Sequence, residues 1–233
     1  MKKNINVLVF SGYGLNCEEE TAYAFELAGG KADIVHINDV IDGKKKLRDY
    51  HIIAVPGGFA YGDDTGSGKA YANRMRNHLS NNIDAFLKAG KLVIGICNGF
   101  QVISQLRIVP GALTHNDSNR YTDRWVDLKV VGESPWLTGI ERISCPIAHG
   151  EGRFVADTAS IRKMQKEKAI AFTYEKGEMA KYLDLPANPD GSTDNIAGVL
   201  SHNGRVLGMM PHPERGMFYT NRPDWPLQEL KYA

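Results

Sequence analysis

The sequence predicts an α/β fold built on a doubly wound, mostly parallel sheet with mixed-strand additions in its second half. In the first half of the 233-residue chain, short apolar runs of strand length alternate with helix-like segments. This is the order expected of βαβ units with right-handed crossovers. The second half holds mainly short strand-like runs. Glycine and proline stand at the ends of several of these segments, as they do at turns.

Four strands and two helices are predicted in the first half. The run from Ile5 to Phe10 is almost continuously apolar, which is typical of a strand buried on both faces. Ala22, Phe25 and Ala28 recur at helical spacing, and Gly29-Gly30 then ends that helix. The predicted strands cover residues 5–10, 33–37, 52–55 and 92–97, and the predicted helices cover 17–28 and 70–89.

The second half adds five short strand candidates and one helix. The strands cover 126–131, 143–148, 169–174, 196–200 and 206–210, and the helix covers 160–168. No linker composition separates the halves, so we predict that residues 1–233 form a single domain whose added strands extend the same sheet. The polar stretch 185–195 is predicted to be a surface loop. The complete pattern corresponds to a flavodoxin-like three-layer sandwich.

Composition excludes several classes of function. With 28 basic and 27 acidic side chains, the chain has no broad basic surface for nucleic acid or an anionic membrane. The apolar run after Met1-Lys2-Lys3 is too short for a signal sequence, and no run of about 18 apolar residues could span a membrane. Three cysteines without a C-x-x-C pair argue against a disulfide framework or a cysteine zinc site. They fit a reducing compartment, and we predict a cytoplasmic protein.

Two glycine-rich segments resemble phosphate-binding loops but lack required residues. In the first, Gly12-Tyr13-Gly14 is followed by Cys17 where a dinucleotide fingerprint needs its third glycine. In the second, 66–70, a P-loop would need glycine in place of Asp63 and a hydroxyl in place of Ala70. The sequence therefore predicts no nucleotide cofactor and no metal in this chain.

The segment around Cys97 carries the strongest local signal of chemistry. A strand runs into Gly95-Ile96-Cys97-Asn98-Gly99, the spacing of a nucleophile elbow with sulfur in place of oxygen. A helix that begins at Asn98 would direct its positive end at the thiol and favour the reactive thiolate. The alternative is that Cys97 is a small apolar residue at a strand end, with glycines that only serve helix packing.

A candidate oxyanion hole and a candidate base follow the ends of other strands. Pro56-Gly57-Gly58 ends the third strand, at the sheet edge that also carries Cys97. There the N–H groups of Gly58 and Asn98 could stabilise an oxyanion. His212 follows the last strand between two prolines, and Glu214 is spaced to orient its imidazole. Alone, this motif could be a surface turn, but the combination favours a triad of Cys97, His212 and Glu214.

The other two cysteines are predicted to be structural. Cys17 opens a helix beside Glu18-Glu19-Glu20, whose charges oppose thiolate formation. Cys145 lies within an apolar, strand-like run and is predicted to belong to the core.

These motifs together resemble the class I, or triad-type, glutamine amidotransferases. Five longer segments narrow the resemblance to the family of glutaminase subunits of phosphoribosylformylglycinamidine synthase, in the same order along nearly the whole chain. They cover residues 57–63, 97–101, 116–121, 146–152 and 208–215. The stretch 64–69 departs from the commonest pattern of that family and is closer to the version in some of its other branches. It bears on the partner interface and on the passage of ammonia.

The resemblance implies that Cys97 forms a glutamyl thioester and releases ammonia from glutamine. A large ATP-dependent synthetase subunit would use that ammonia to convert formylglycinamide ribonucleotide to its amidine in purine biosynthesis, with a small subunit bridging the two. ATP and magnesium would bind to the synthetase subunit, and this chain would carry no cofactor. By analogy with the family, the glutamine site would be lined by Gln101, Asn116, Ser118, Arg120, His149 and Glu151.

Three alternatives remain at this stage. The chain could be the glutaminase subunit of another ATP-dependent amidotransferase. It could also be a stand-alone cysteine hydrolase of the intracellular-protease or glyoxalase-like type, but those proteins usually carry histidine directly after the cysteine, where this chain has Asn98. A non-catalytic binding module is the third alternative, and the complete Cys97, His212 and Glu214 set argues against it.

Overall fold

The computed structural model describes residues 5–63 and 66–225. Its strands are β1 (Asn6–Ser11), β2 (Lys31–His36), β3 (Ile52–Val55), β4 (Leu92–Ile96), β5 (Ala112–Thr114), β6 (Thr122–Val130), β7 (Arg142–His149), β8 (Arg153–Val155), β9 (Ile170–Glu175), β10 (Ile196–Ser201) and β11 (Val206–Met209). Its helices are α1 (Glu18–Leu27), α2 (Ile37–Ile41), α3 (Lys69–Lys88), α4 (Asn98–Gln105), α5 (Thr158–Lys166) and α6 (Glu178–Tyr182). All nine predicted strands and all three predicted helices are confirmed, with boundaries that differ by a few residues. The unpredicted elements, α2, α6, β5 and β8, are too short to show a clear periodicity.

One sheet combines strands from both halves of the chain. Its order is β2-β1-β3-β4-β11-β10-β9-β6-β7, and β5 pairs separately with β8. The first five strands in this order run parallel, and β10, β9, β6 and β7 add antiparallel pairs. This confirms the predicted α/β sandwich, in which the mixed additions form an antiparallel half.

The pairing of β11 with β4 decides where the chemistry lies. The two strands are parallel neighbours, with Met209 beside Ile96. Their carboxyl ends therefore meet at one edge of the sheet, and the residues that follow each strand come close together. These are Cys97 after β4 and the Met210–His212 segment after β11.

The apolar pattern of the sequence explains the layers of the sandwich. Val7–Phe10 in β1 have no exposed surface, as expected for a central strand covered on both faces. Helix α3 buries one stripe at helical spacing, which comprises Tyr71, Met75, Leu79, Ile83 and Phe86. Burial of each such side chain stabilises the fold by about 1.5–3 kcal/mol.

The glycine-rich stretch before α3 serves packing. Gly68 is the N-cap residue of α3, and a Cβ atom there would lie 2.8 Å from the backbone nitrogen of Val102 in α4. Glycine at this position lets the start of α3 approach α4. Asp64 and Thr65, which belong to the stretch that departs from the family pattern, lie outside the described residues.

The prediction of a surface loop at 185–195 was wrong in part, because Asp190 and Ser192 are buried. The Asp190 carboxylate accepts hydrogen bonds from the backbone N–H and the hydroxyl of Ser192, at 2.9 and 2.6 Å. The Asn188 side chain accepts from three backbone N–H groups of the same loop. These bonds satisfy the polar groups of a loop that folds inward.

None of the helices in the described part of the chain is long and apolar enough to cross a bilayer.

Candidate active site

Cys97 occupies the sharp turn between β4 and α4. Its φ of +51° lies in the left-handed region, a strained conformation for a residue with a side chain. Its N–H donates to the Met209 carbonyl at 2.8 Å, and its thiol lies 3.7 Å from the Ala148 carbonyl oxygen. The residue is 5% exposed. The strand, the strained cysteine and the helix that starts at the next residue are the features of a nucleophile elbow.

The glycines on both sides of Cys97 are required by close backbone contacts. A Cβ atom on Gly99 would lie 1.8 Å from the Val55 carbonyl oxygen, and one on Gly95 would lie 2.6 Å from the Gly99 carbonyl oxygen. Any side chain at either position would push α4 away from the strands. The G-x-C-x-G spacing therefore places the helix start directly against the ends of β3 and β4.

His212 and Glu214 form a buried pair after β11. The His212 N–H donates to the Pro146 carbonyl at 2.8 Å, which ties this loop to β7. The imidazole Nδ1 lies 2.6 Å from Glu214 Oε1, and the two residues are 2% and 3% exposed. Glu214 lies in a single 3₁₀ turn, Pro213–Arg215, which begins directly after His212. A carboxylate at this distance holds one tautomer and one orientation of the ring.

The surroundings of His212 favour its protonated form. Burial alone would lower the pKa of the imidazole, but the electrostatic interaction with Cys97 and hydrogen bonds with Cys17, Cys97 and Glu214 outweigh burial and raise the pKa well above its ordinary value. A protonated imidazole beside a cysteine is an arrangement that activates cysteine nucleophiles.

A chain of side-chain hydrogen bonds connects the Gly57-Gly58 loop to the elbow. The Ala60 N–H donates to Asn98 Oδ1 at 3.1 Å, Asn98 Nδ2 donates to Gln101 Oε1 at 2.7 Å, and Gln101 Nε2 donates to the Glu151 carbonyl at 2.8 Å. Gly58, with φ of +145°, packs where a Cβ atom would lie 2.5 Å from the Gly14 carbonyl oxygen. These hydrogen bonds connect the loop that contains Gly58 to Asn98, Gln101 and Glu151, while the roles of these residues toward substrate stay predictions.

Asn116, a predicted substrate-binding residue, is engaged entirely with the protein. Its amide donates to the carbonyls of Arg120 and His149, each at 2.9 Å. Its Oδ1 accepts from the Gly152 N–H at 3.1 Å and lies at the same distance from His149 Nδ1. These bonds hold the 149–152 loop at both of its ends, through the His149 carbonyl and the Gly152 N–H. Any effect of Asn116 on glutamine binding would therefore pass through that loop.

The other predicted substrate residues fall into two groups. Ser118 and Arg120 are exposed on the turn after Asn116, where the Arg120 N–H donates to Ser118 Oγ at 3.3 Å. His149 is buried, with Nε2 3.7 Å from Asp190 Oδ2. Burial, followed by the charge of His212, lowers the pKa of His149 to about 3, so that ring is neutral at physiological pH.

Sequence reasoning missed two contacts of the site. Cys17 lies beside the triad, where its Sγ, one nitrogen of His212 and one carboxylate oxygen of Glu214 all lie within 4.8 Å of one another. The second contact is β7, whose Pro146 and Ala148 carbonyls meet His212 and Cys97. No local pattern signals either contact, because the partners are far apart in the chain. Cys145, which was predicted to lie in the core, is fully buried in β7.

Comparisons with known proteins identify the family of this chain. Residues 4–232 match the model of the CobB/CobQ-like glutamine amidotransferase domain family. The chain is similar to phosphoribosylformylglycinamidine synthase subunit PurQ of Methanococcus maripaludis, with 48% identity over 96% of this chain and 86% of that protein. It is 39% identical to the subunit of the same name from Dehalococcoides mccartyi, over 97% and 91% of the two chains. In a solved structure of PurLQS from Thermotoga maritima, one chain matches with a TM-score of 0.76 and 31% identity, over 98% of this chain and 99% of that one.

Proposed function

Because this chain belongs to the family of CobB/CobQ-like glutamine amidotransferase domains, we propose that it is the glutaminase subunit of phosphoribosylformylglycinamidine synthase. It hydrolyses glutamine to glutamate and ammonia in de novo purine biosynthesis. The observation that carries the chemistry is the buried His212–Glu214 pair at 2.6 Å beside the strained Cys97 elbow.

The first step is attack by the Cys97 thiolate on the side-chain amide carbon of glutamine. A carbon–sulfur bond forms, and the amide oxygen becomes an oxyanion. The N–H groups of Gly58 and Asn98 are our candidates for stabilising it, because the Ala60–Asn98 hydrogen bond holds their two loops together. One such donor contributes about 3–4 kcal/mol to the stability of the transition state.

His212 then moves protons in both halves of the reaction. The imidazolium donates a proton to the departing nitrogen, so that ammonia leaves and a glutamyl thioester remains on Cys97. The neutral ring next takes a proton from water as that water attacks the thioester, which releases glutamate and restores the thiolate. Glu214 keeps the ring oriented and stabilises its positive charge at each protonation.

The glutamine backbone would bind along the side of Cys97 that carries Gln101 and Glu151. The Glu151 carboxylate faces the start of the α3 segment, where the Ser67 N–H lies 3.4 Å from its Oε2. A carboxylate in this position suits the α-amino group of glutamine. The exposed Arg120 offers a positive charge for the α-carboxylate, with Ser118 beside it.

The ammonia passes to a large synthetase subunit, and a small subunit bridges the two. ATP and magnesium belong to the synthetase in this proposal, while this chain carries no cofactor and acts in the cytoplasm. The stretch 64–69 departs from the commonest family pattern, and Ser67 within it contacts Glu151. We propose that it contributes to the contact with the synthetase and to the ammonia passage.

A glutamine-mimicking alkylator tests the chemistry. Mass spectrometry after incubation should place a single adduct on Cys97, and Cys97→Ser should abolish it. Adducts on Cys17 or Cys145 in the wild-type chain would refute the assignment of the nucleophile.

A pull-down from the native source tests the assignment to purine biosynthesis. Recovery of an ATP-dependent purine-pathway synthetase, together with glutaminase activity that rises strongly when this synthetase is added, is the expected result. Equal activity with and without the partner would instead indicate a free hydrolase. Recovery of a different ATP-dependent synthetase would assign the chain to another amidotransferase.

A further inference from the structure

We propose that Cys17, His212 and Glu214 form a zinc-binding site through which Zn²⁺ inhibits the glutaminase. One sulfur, one nitrogen and one oxygen from these residues lie within 4.8 Å of one another, and all three residues are buried. Cys17 comes from the start of α1, whereas His212 and Glu214 follow β11. The site is assembled only by the fold, so cysteine spacing could not predict it.

The three donors match the chemistry of zinc. Thiolate, imidazole and carboxylate are its usual protein ligands, at about 2.0–2.3 Å from the ion. In a tetrahedral site these bond lengths put neighbouring ligand atoms roughly 3.3–3.8 Å apart. The ligand atoms here are at most 4.8 Å apart, and His212 Nδ1 and Glu214 Oε1 are 2.6 Å apart, so zinc binding must lengthen that pair and shorten longer separations by about 1 Å. Small rotations of the three side chains supply movements of this size.

The buried polar atoms of the cluster are incompletely paired. Among the described residues, Glu214 Oε2 has no hydrogen-bond partner, although its side chain is more than nine-tenths buried. The Cys17 thiol makes a long contact of 3.5 Å with Asn16 Oδ1 and a polar contact with His212. Buried polar atoms without partners are uncommon and point to a ligand. A metal ion would take up lone pairs that the protein leaves unused.

Charge balance also favours a divalent ion. Zn²⁺ would be neutralised by the Cys17 thiolate and the Glu214 carboxylate, which avoids leaving a net charge in a buried site. Mg²⁺ prefers oxygen ligands in octahedral geometry, and this donor set does not suit it.

Zinc at this site would remove two members of the triad from catalysis. A metal-bound imidazole nitrogen cannot carry protons, and a metal-bound Glu214 no longer orients the ring. The expected inhibition therefore requires Cys17, a residue outside the proposed triad. This dependence distinguishes the site from simple metal capture by a reactive Cys97–His212 pair.

The binding experiment uses the full chain and does not depend on its activity. Equilibrium dialysis should show one Zn²⁺ per wild-type chain, with at least tenfold weaker binding for Cys17→Ser and Cys17→Ala. Cys145→Ser, a change at another buried cysteine, and Cys97→Ser should both bind zinc nearly as the wild type does. Co²⁺ as a spectroscopic probe should give a thiolate charge-transfer band that is lost with Cys17→Ala and kept with Cys97→Ser. Circular dichroism checks that each variant is folded.

Inhibition is then measured on the same proteins. Zinc should inhibit the wild-type glutaminase reversibly, with activity restored by a chelator, whereas Mg²⁺ should not inhibit it. In the Cys17 variants, the zinc concentration needed for half inhibition should rise at least tenfold. Zinc binding or inhibition unchanged in folded Cys17 variants, or a cobalt–thiolate band lost only with Cys97→Ser, would overturn the proposal.

Discussion

Gly99→Ala tests the elbow, because helix propensity predicts that this substitution stabilises the chain and steric overlap predicts that it destabilises it. Gly99 lies in α4, where alanine has the higher helix propensity by about 1 kcal/mol. The added Cβ, however, would lie 1.8 Å from the Val55 carbonyl oxygen, and such atoms are essentially never closer than 3.0 Å. The helix start must therefore move away from β3 by about 1.2 Å. Overpacking of this kind costs up to about 3 kcal/mol, so we expect a net loss of about 2 kcal/mol.

The same displacement of the helix start should also slow the reactions of Cys97. A shift of about 1 Å in a reacting group can cost roughly 10²-fold in rate, so alkylation of Cys97 by a glutamine analogue should slow by about that factor. Urea denaturation measures the stability change. Gly150→Ala is the matched control for stability, since its Cβ would meet nothing closer than 3.9 Å. A Gly99→Ala variant as stable as the wild type, with unchanged alkylation of Cys97, would refute the steric reasoning.

Three further predictions follow from the site. Glu214→Gln should reduce the glutaminase kcat by roughly 10³–10⁴-fold, because the ring loses its charged orienting partner; a reduction below tenfold in a steady-state assay would contradict the proposed triad. The pKa of His212 is raised in the folded chain, so its stabilising effect is complete below the unfolded pKa of about 6.5 and is lost as pH rises through the folded value. Urea denaturation at a series of pH values should show that the free energy of unfolding falls as pH rises, and that the fall is smaller in His212→Asn. The same pH dependence in both proteins would contradict this role of His212. Asn116→Ala leaves several buried backbone groups without a hydrogen-bond partner, so it should lower the free energy of unfolding measured in urea by about 2–4 kcal/mol. Ser118→Ala, at an exposed residue, should change it by no more than about 0.5 kcal/mol. Equal effects of the two substitutions would mean that the Asn116 bonds contribute little.

Local signals explain why most of the fold was predictable. Continuous apolar runs mark buried strands such as β1, and the 3.6-residue period marks α3, so both are visible within a short window of sequence. The elbow was equally visible, because the clashes that exclude side chains at Gly95 and Gly99 arise from the tight turn around Cys97.

Contacts between residues that are far apart in the sequence were not predictable. Cys17 reaches Glu214 only because β1 and β11 belong to one sheet, and nothing near Cys17 in the sequence indicates that neighbour. The composition of 185–195 indicates exposure, yet Asp190 is buried because its loop satisfies its own hydrogen bonds. Neither long-range contacts nor polar loops that satisfy their own hydrogen bonds produce a periodic pattern in the sequence.

The contact between β7 and the triad has a consequence for solubility. Strand β7 ends the nine-stranded sheet, and outward-facing carbonyls on a terminal strand are a template on which a second molecule can add a strand. Here the Pro146 carbonyl accepts from the His212 N–H, the Ala148 carbonyl meets the Cys97 thiol, and the proline offers no N–H. The loop that carries the base and the cysteine elbow therefore occupy the β7 carbonyls of Pro146 and Ala148, which are then not available to an added strand. Variants that displace the His212 loop should both lose activity and aggregate more readily. Variants with catalytic defects of this kind would then also depend more on chaperones.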